Sequence, residues 1–120
     1  MSRVIPALFE KDQIENLLKS FLDIIVLSML NGESVHGYQI IADLHIKFGV
    51  LLSPGTLYPL LYRLEEEGLV TVNELKRKKL YTITPIGKRR SSQVMKLYRK
   101  NSDKIFNFID NNLKPEIIAK

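Results

Sequence analysis

Apolar residues early in the chain recur with helical spacing: Ile14, Leu17, Leu18, Phe21 and Ile25 fall on one face of a segment from Asp12 to Leu30. Asp12 with Glu15 has the form of a capping box, and Asn31-Gly32 supplies a stop. From Phe21 onward Leu22, Ile24, Val26, Leu27 and Met29 make this first helix apolar almost all round. It must therefore be covered on more than one side, and a partner chain can supply the second. Ser34 is placed to cap a second helix, in which Ile40, Ile41, Leu44 and Phe48 form an inward stripe before Gly49 ends it.

Ser53-Pro54 pairs an N-cap with a first-turn proline and opens a third helix, in which Leu57, Leu60, Leu61 and Leu64 recur until Gly68. Pro59 removes the bond its N–H would make to the Gly55 carbonyl, so this helix is expected to kink or to start late. Leu69–Leu75 and Leu80–Thr84 are rich in β-formers, and Lys76-Arg77-Lys78-Lys79 between them suits an exposed turn. Thr84-Pro85 repeats the cap-and-proline signal. Val94, Leu97, Tyr98, Ile105, Phe108, Ile109 and Leu113 then mark one face of a long last helix that fades near Pro115.

The order helix, helix, helix, hairpin, helix predicts a mainly α fold with a small β-hairpin. It is the winged helix-turn-helix plan, a three-helix core with a two-stranded wing, followed by a long C-terminal dimerisation helix. The expected division is an N-terminal arm at 1–11, the winged helix-turn-helix at 12–87, the dimerisation helix at 88–114 and a tail at 115–120. At 120 residues one domain with a real core is the default.

In such a fold the third helix lies in the major groove with its outer face free. Counting about 100° per residue from its leucine stripe places Gly55, Pro59 and Tyr62 opposite, Thr56 and Arg63 on one flank and Tyr58 on the other. Arginine is the commonest specific reader of guanine, which makes Arg63 the best single base-contact candidate. Periodicity alone equally fits tyrosines packed at the helix edge and a solvated arginine. Lys76, Arg77, Lys78 and Lys79 would lie along phosphate or enter the minor groove; such a run alone is more often a solvated turn, but its place after a candidate recognition helix favours the DNA role. Lys88, Arg89 and Arg90 near the start of the last helix oppose its dipole and face phosphate or solvent.

The net charge of +5 and pI near 9.5 draw the chain toward polyanions without choosing among them. There is no Cys, so disulfides and thiolate chemistry are excluded. The run Phe21–Leu30 is about half the length of a membrane span, and no secretion signal opens the chain, so a cytoplasmic protein without a membrane role is expected. His36 and His45 have no carboxylate pattern of a zinc or catalytic site, and no phosphate loop or nucleophile elbow occurs. No metal, no cofactor and no enzymatic activity are expected.

His36-Gly37-Tyr38, Ser53-Pro54-Gly55-Thr56-Leu57-Tyr58-Pro59, Arg63-Leu64-Glu65-Glu66-Glu67-Gly68-Leu69 and Lys79-Leu80-Tyr81-Thr82-Ile83-Thr84-Pro85-Ile86-Gly87-Lys88 together resemble the PadR family, the phenolic-acid decarboxylase repressor type. The resemblance covers roughly residues 20 to 90. It implies a homodimeric repressor that binds a palindromic operator in double-stranded DNA through the third helix and the wing. The expected DNA-binding set is then Ser53, Thr56, Tyr58, Pro59, Tyr62 and Arg63, the wing cations 76–79, and His36 and Tyr38 at the start of the second helix. Phe21, Ile25, Val94, Leu97, Tyr98, Ile105, Phe108 and Ile109 are the expected dimer contacts. Family members often release DNA on binding a hydrophobic small molecule; such an effector would have to sit between subunits, and this chain lacks the tryptophan of the drug-binding members. Two competing readings are a winged-helix protein-interaction module without DNA binding, and a hydrophobic small-molecule carrier or minor enzyme whose cavity Phe21, Tyr98, Phe106 and Phe108 would line.

Overall fold

The computed structural model describes residues 7–114, so the expected tail and most of the expected arm lie outside the described residues. The chain forms α1 (Ala7–Ser20), α2 (Leu22–Met29), β1 (Val35–His36), α3 (Gly37–Phe48), α4 (Pro54–Glu66), β2 (Val70–Leu75), β3 (Lys78–Ile83) and α5 (Pro85–Leu113). The core gathers Leu18, Leu22, Val26, Leu27 and Leu30 from the N-terminal helices, Ile40 and Leu44 from α3, the α4 leucines, and Val70, Tyr81 and Ile83 from the sheet. This is the predicted winged-helix plan, with three departures in its elements.

The expected first helix is two helices. The backbone breaks at Phe21 (φ −108°, ψ 13°), with no Gly or Pro to cause it. The Phe21 ring meets Tyr98 of α5 edge-on, centroids 5.1 Å apart, so a contact with a residue far along the chain accompanies the break. Asp12 and Glu15 lie inside α1 rather than at its start, and Glu15 pairs with Lys19 at 2.9 Å. Residues 7–11, expected as arm, are helical.

Ser34 does not cap the second helix. Its Oγ meets Thr82 Oγ1 at 2.6 Å, and the chain runs into a two-residue strand that the sequence pattern did not reveal. β1 pairs antiparallel with β3 (Val35 with Tyr81, His36 with Leu80), giving a sheet of order β1-β3-β2. His36 occupies the cap position of α3 and makes no side-chain cap bond. Along α3, Ile40 and Leu44 are buried and Ile41 packs on the core, whereas Phe48 is exposed.

The wing turn is shorter than expected. Leu75 pairs with Lys78 and Glu74 with Lys79, so only Lys76 and Arg77 form the turn and the other two cations belong to β3. Both turn residues have positive φ, 53° and 66°, the pattern of a type I′ hairpin turn.

Both cap-and-proline signals work as read. Ser53 Oγ accepts from the Thr56 N–H at 3.2 Å with Pro54 in the first turn. Pro59 neither delays nor divides α4; the Gly55 carbonyl it leaves without a helical partner is on an exposed residue, where water can serve it. Leu57, Leu60, Leu61 and Leu64 are all buried. Thr84 Oγ1 accepts from the Gly87 N–H at 3.0 Å and donates to the Gly68 carbonyl at 2.7 Å, tying the start of α5 to the end of α4. α5 then runs unbroken through the expected boundary at 87/88.

At that junction Gly87 is buried, and a Cβ there would run into the Leu69 carbonyl oxygen and the Ile83 side chain. Helix propensity alone says that Gly87→Ala should stabilise by roughly 0.5–1 kcal/mol. The contact says the opposite, a loss of about 1–3 kcal/mol from overpacking. A lower urea midpoint is the expected outcome; a raised one would refute the close packing of α5 on the wing.

Candidate nucleic-acid interface

α4 presents an outer face by default, because its four leucines hold the inner one. Tyr62 is 64% exposed and Pro59 is exposed beside it. Ser53 and Thr56, expected on DNA, are largely engaged with each other: their hydroxyls lie 3.1 Å apart while Ser53 also caps the helix. Tyr58 turns its ring toward the start of α3, where a Cβ on Gly37 would come within 2.6–2.8 Å of it. Glycine at 37 is what leaves room for the Tyr58 ring in this position.

That approach forms a cleft of about 430 Å³ lined by His36, Gly37, Tyr38, Tyr58 and Tyr81 with the wing cations Arg77, Lys78 and Lys79. His36 Nδ1 lies 3.2 Å from the Lys79 carbonyl, its ring stacks on Tyr38 with centroids 5.6 Å apart, and Lys78 Nζ sits 5.5 Å from the Tyr38 ring centre. No carboxylate lines the cleft, and none occupies the first turn of α3 or α4. The partial positive charge of those helix ends is therefore left without a carboxylate in the same turn. Tyr81, buried at the back, has its hydroxyl pKa pushed up by burial first and by the charges of Tyr58 and Glu65 second. Gly37 and Tyr81 were not among the expected site residues, although each stands inside a quoted motif, Gly37 in His36-Gly37-Tyr38 and Tyr81 in the run from Lys79 to Lys88.

Arg63 is placed differently from the rest. Its Nη2 donates to both carboxylate oxygens of Asp23 at 3.2 Å, and its Nη1 to Glu67 Oε2 at 3.4 Å. Glu67 Oε1 accepts in turn from Arg90 Nη1 of α5, also at 3.4 Å. The hydrogen bond and charge of Asp23 push the Arg63 pKa above its already high value. The guanidinium expected to read a base is thus directed toward α2 and α5, and Arg90, expected on phosphate or solvent, is held in the same group.

A second surface is apolar. Phe21, Ile25 and Val94 are half-buried within the protomer, but Leu97, Ile105, Phe108 and Ile109 of α5 are exposed, Phe108 at 69%, and Tyr98 is at the border. Phe106 on α5 and Leu8, Phe9, Ile14 and Leu17 on α1, outside the expected contact set, are exposed too. Between α1 and α5 lies a mainly apolar cleft of about 470 Å³, lined by Leu17, Phe21, Tyr98, Ile105 and Phe106 with the polar Ser20, Asn101 and Ser102. Among the described residues no group of three His, Asp or Glu is close enough to hold a metal, and no helix is long and apolar enough to cross a membrane.

Comparison with known proteins agrees with this architecture. A transcriptional regulator from Clostridium thermocellum superposes with a TM-score of 0.71 at 27% identity, covering 78% of this chain and 98% of that one. A PadR family transcriptional regulator from Eggerthella lenta gives 0.70 at 26% identity, covering 82% and 90%. In sequence the chain is similar to the transcriptional activator GvpE of Haloferax mediterranei, 36% identical over 62 residues. That match takes in 52% of this chain but only 32% of the relative, so the chain spans about a third of its length. The model of the transcriptional regulator PadR-like family matches residues 26–93, more than half of the chain, from the middle of α2 through the wing into α5. The chain belongs to the PadR-like family of transcriptional regulators.

Proposed function

We propose that the protein binds double-stranded DNA at an inverted repeat as a homodimer, with the outer face of α4 in the major groove and the wing along the flanking phosphates. The observation that carries this reading is the wing turn. A left-handed conformation costs a non-glycine residue of the order of 1 kcal/mol, and type I′ turns favour Asn-Gly. Here two adjacent residues adopt it, and both are cations. Backbone strain kept at a charged tip is a common mark of a working site.

Tyr62 and Pro59 supply the groove-facing surface, with Tyr58 and the cleft between α3 and the wing suited to a backbone phosphate. The exposed apolar faces of α1 and of the C-terminal half of α5 suit a second copy of the chain, since such patches on one molecule mark an interaction site. A two-fold axis through them would offer two α4 helices to successive major grooves. A dimer seated over a promoter would lower transcription, the repressor sense that the resemblance implies; the activator name belongs to the haloarchaeal relative.

Two outcomes test this. Genomic fragments retained by the purified protein at moderate salt are expected to share an inverted repeat; salt-labile retention with no shared motif would leave only nonspecific binding, and no retention at low salt would favour a protein partner. Replacing the turn, Lys76→Asn with Arg77→Gly, is expected to raise stability by about 1 kcal/mol. The same change should weaken binding to cognate and random DNA alike and lower the slope of log K against log salt by about two for each protomer, or nearly four for the dimer. Unchanged DNA binding in that variant would remove the wing from the interface.

A further inference from the structure

Asp23, Arg63, Glu67 and Arg90 form a line of alternating charges that crosses three helices. Asp23 lies in the first turn of α2, Arg63 in the last turn of α4, Glu67 just past the end of α4, and Arg90 in the early turns of α5. Each carboxylate oxygen of Glu67 serves a different arginine, and Arg63 joins two carboxylates that stand 44 residues apart in sequence. The side chains are roughly half-exposed, 38–51%, and exposed ion pairs add little to stability. What a planar guanidinium fixed by two partners does supply is direction.

The direction has a consequence for α4. The α4 stripe is packed chiefly on α3 and the first wing strand, whereas α2 packs on α5. A cavity of about 150 Å³ lined by Asp23, Leu64, Glu67, Arg90 and Val94 lies where these two halves meet. Leu64 and Leu27 close its floor as part of the core, and across its outer side the ion pairs of Arg63 and Glu67 tie the C-terminal end of α4 to α2 and α5. α2 and α5 are also the helices contiguous with the apolar surface assigned above to the second copy.

We propose that the Asp23–Arg63–Glu67–Arg90 chain is a positioning strut that sets the orientation of the recognition helix relative to the dimer helices, and thereby the half-site spacing that the protein accepts. It makes Arg63 a positioning residue and not a base reader. The inference rests on the dimeric DNA-binding reading, and one base pair of spacing rotates a half-site by about a tenth of a turn. A helix whose angle is no longer fixed is therefore expected to accept neighbouring spacings more nearly equally.

The test uses the full chain and the inverted repeat recovered from genomic selection, rebuilt with its half-sites moved apart or together one base pair at a time. The unaltered protein is expected to prefer one spacing about tenfold. Asp23→Asn and Glu67→Gln should each flatten that preference roughly threefold or more, with the salt slope unchanged because no phosphate contact is lost. Asp23→Glu, which keeps the charge, should restore most of it. Glu67→Gln is an exposed, nearly isosteric change, so it probes the strut without threatening the core. An unchanged spacing preference in Glu67→Gln would overturn the strut. So would Arg63→Lys relaxing the choice of base at one position while Asp23→Asn does not, because Arg63 would then be reading DNA. If the unaltered protein selects no inverted repeat, the dimeric reading itself fails, and the strut with it, before any variant is made.

Discussion

A helix that contacts DNA must be held at a fixed rotation about its own axis, since a turn of one residue, about 100°, would exchange its base-facing groups for its core. In this chain that rotation is held by Leu57, Leu60, Leu61 and Leu64, all buried against α3, β2 and the N-terminal helices. Each leucine contributes roughly 1.5–3 kcal/mol of apolar burial, far more than any polar contact on the opposite side. The exposure of Tyr62 and Pro59 is a consequence of that stripe. So is the approach of Tyr58 to Gly37, which closes one wall of the cationic cleft.

The remaining surface divides by chemistry. Toward the wing, Arg77, Lys78 and Lys79 meet the carboxylate-free first turn of α3, and no acidic side chain lines the cleft between them. Along α1 and the far half of α5, the exposed side chains include several Leu, Ile and Phe, and the elongated outline of 66 × 33 × 21 Å follows from the 29-residue α5 reaching well beyond the core. A polyanion and a second copy are the partners these two surfaces respectively suit. The ion pairs of Arg63 lie between them and join the helix that would meet one partner to the helices that would meet the other.

What could be read in the sequence was local. Ser53-Pro54 and Thr84-Pro85 name their helix starts because the capping hydroxyl and the backbone N–H it accepts from are three residues apart, and the leucine stripe of α4 declares its buried face by spacing alone. What could not be read depended on distant partners. The break at Phe21 accompanies a ring 77 residues away, and β1 is too short for any alternation to show. Which two of the four cations form the turn is decided by register, with Val72 opposite Tyr81. Periodicity placed Arg63 correctly on the flank of α4 but had no means of finding Asp23, on another helix, as its partner. The apolar residues of α1 were legible as a stripe, but spacing alone had no means of showing that Leu18 is buried while Ile14 and Leu17 are exposed.

The central claim is that two recognition helices, linked through α1 and α5, address one face of a duplex together. Hydroxyl-radical footprinting of the protein on a selected fragment tests it most directly. The account predicts two protected patches about one helical turn apart, on the same face of the DNA and appearing in a single transition as protein is added. One patch alone, or two that fill independently, would contradict it.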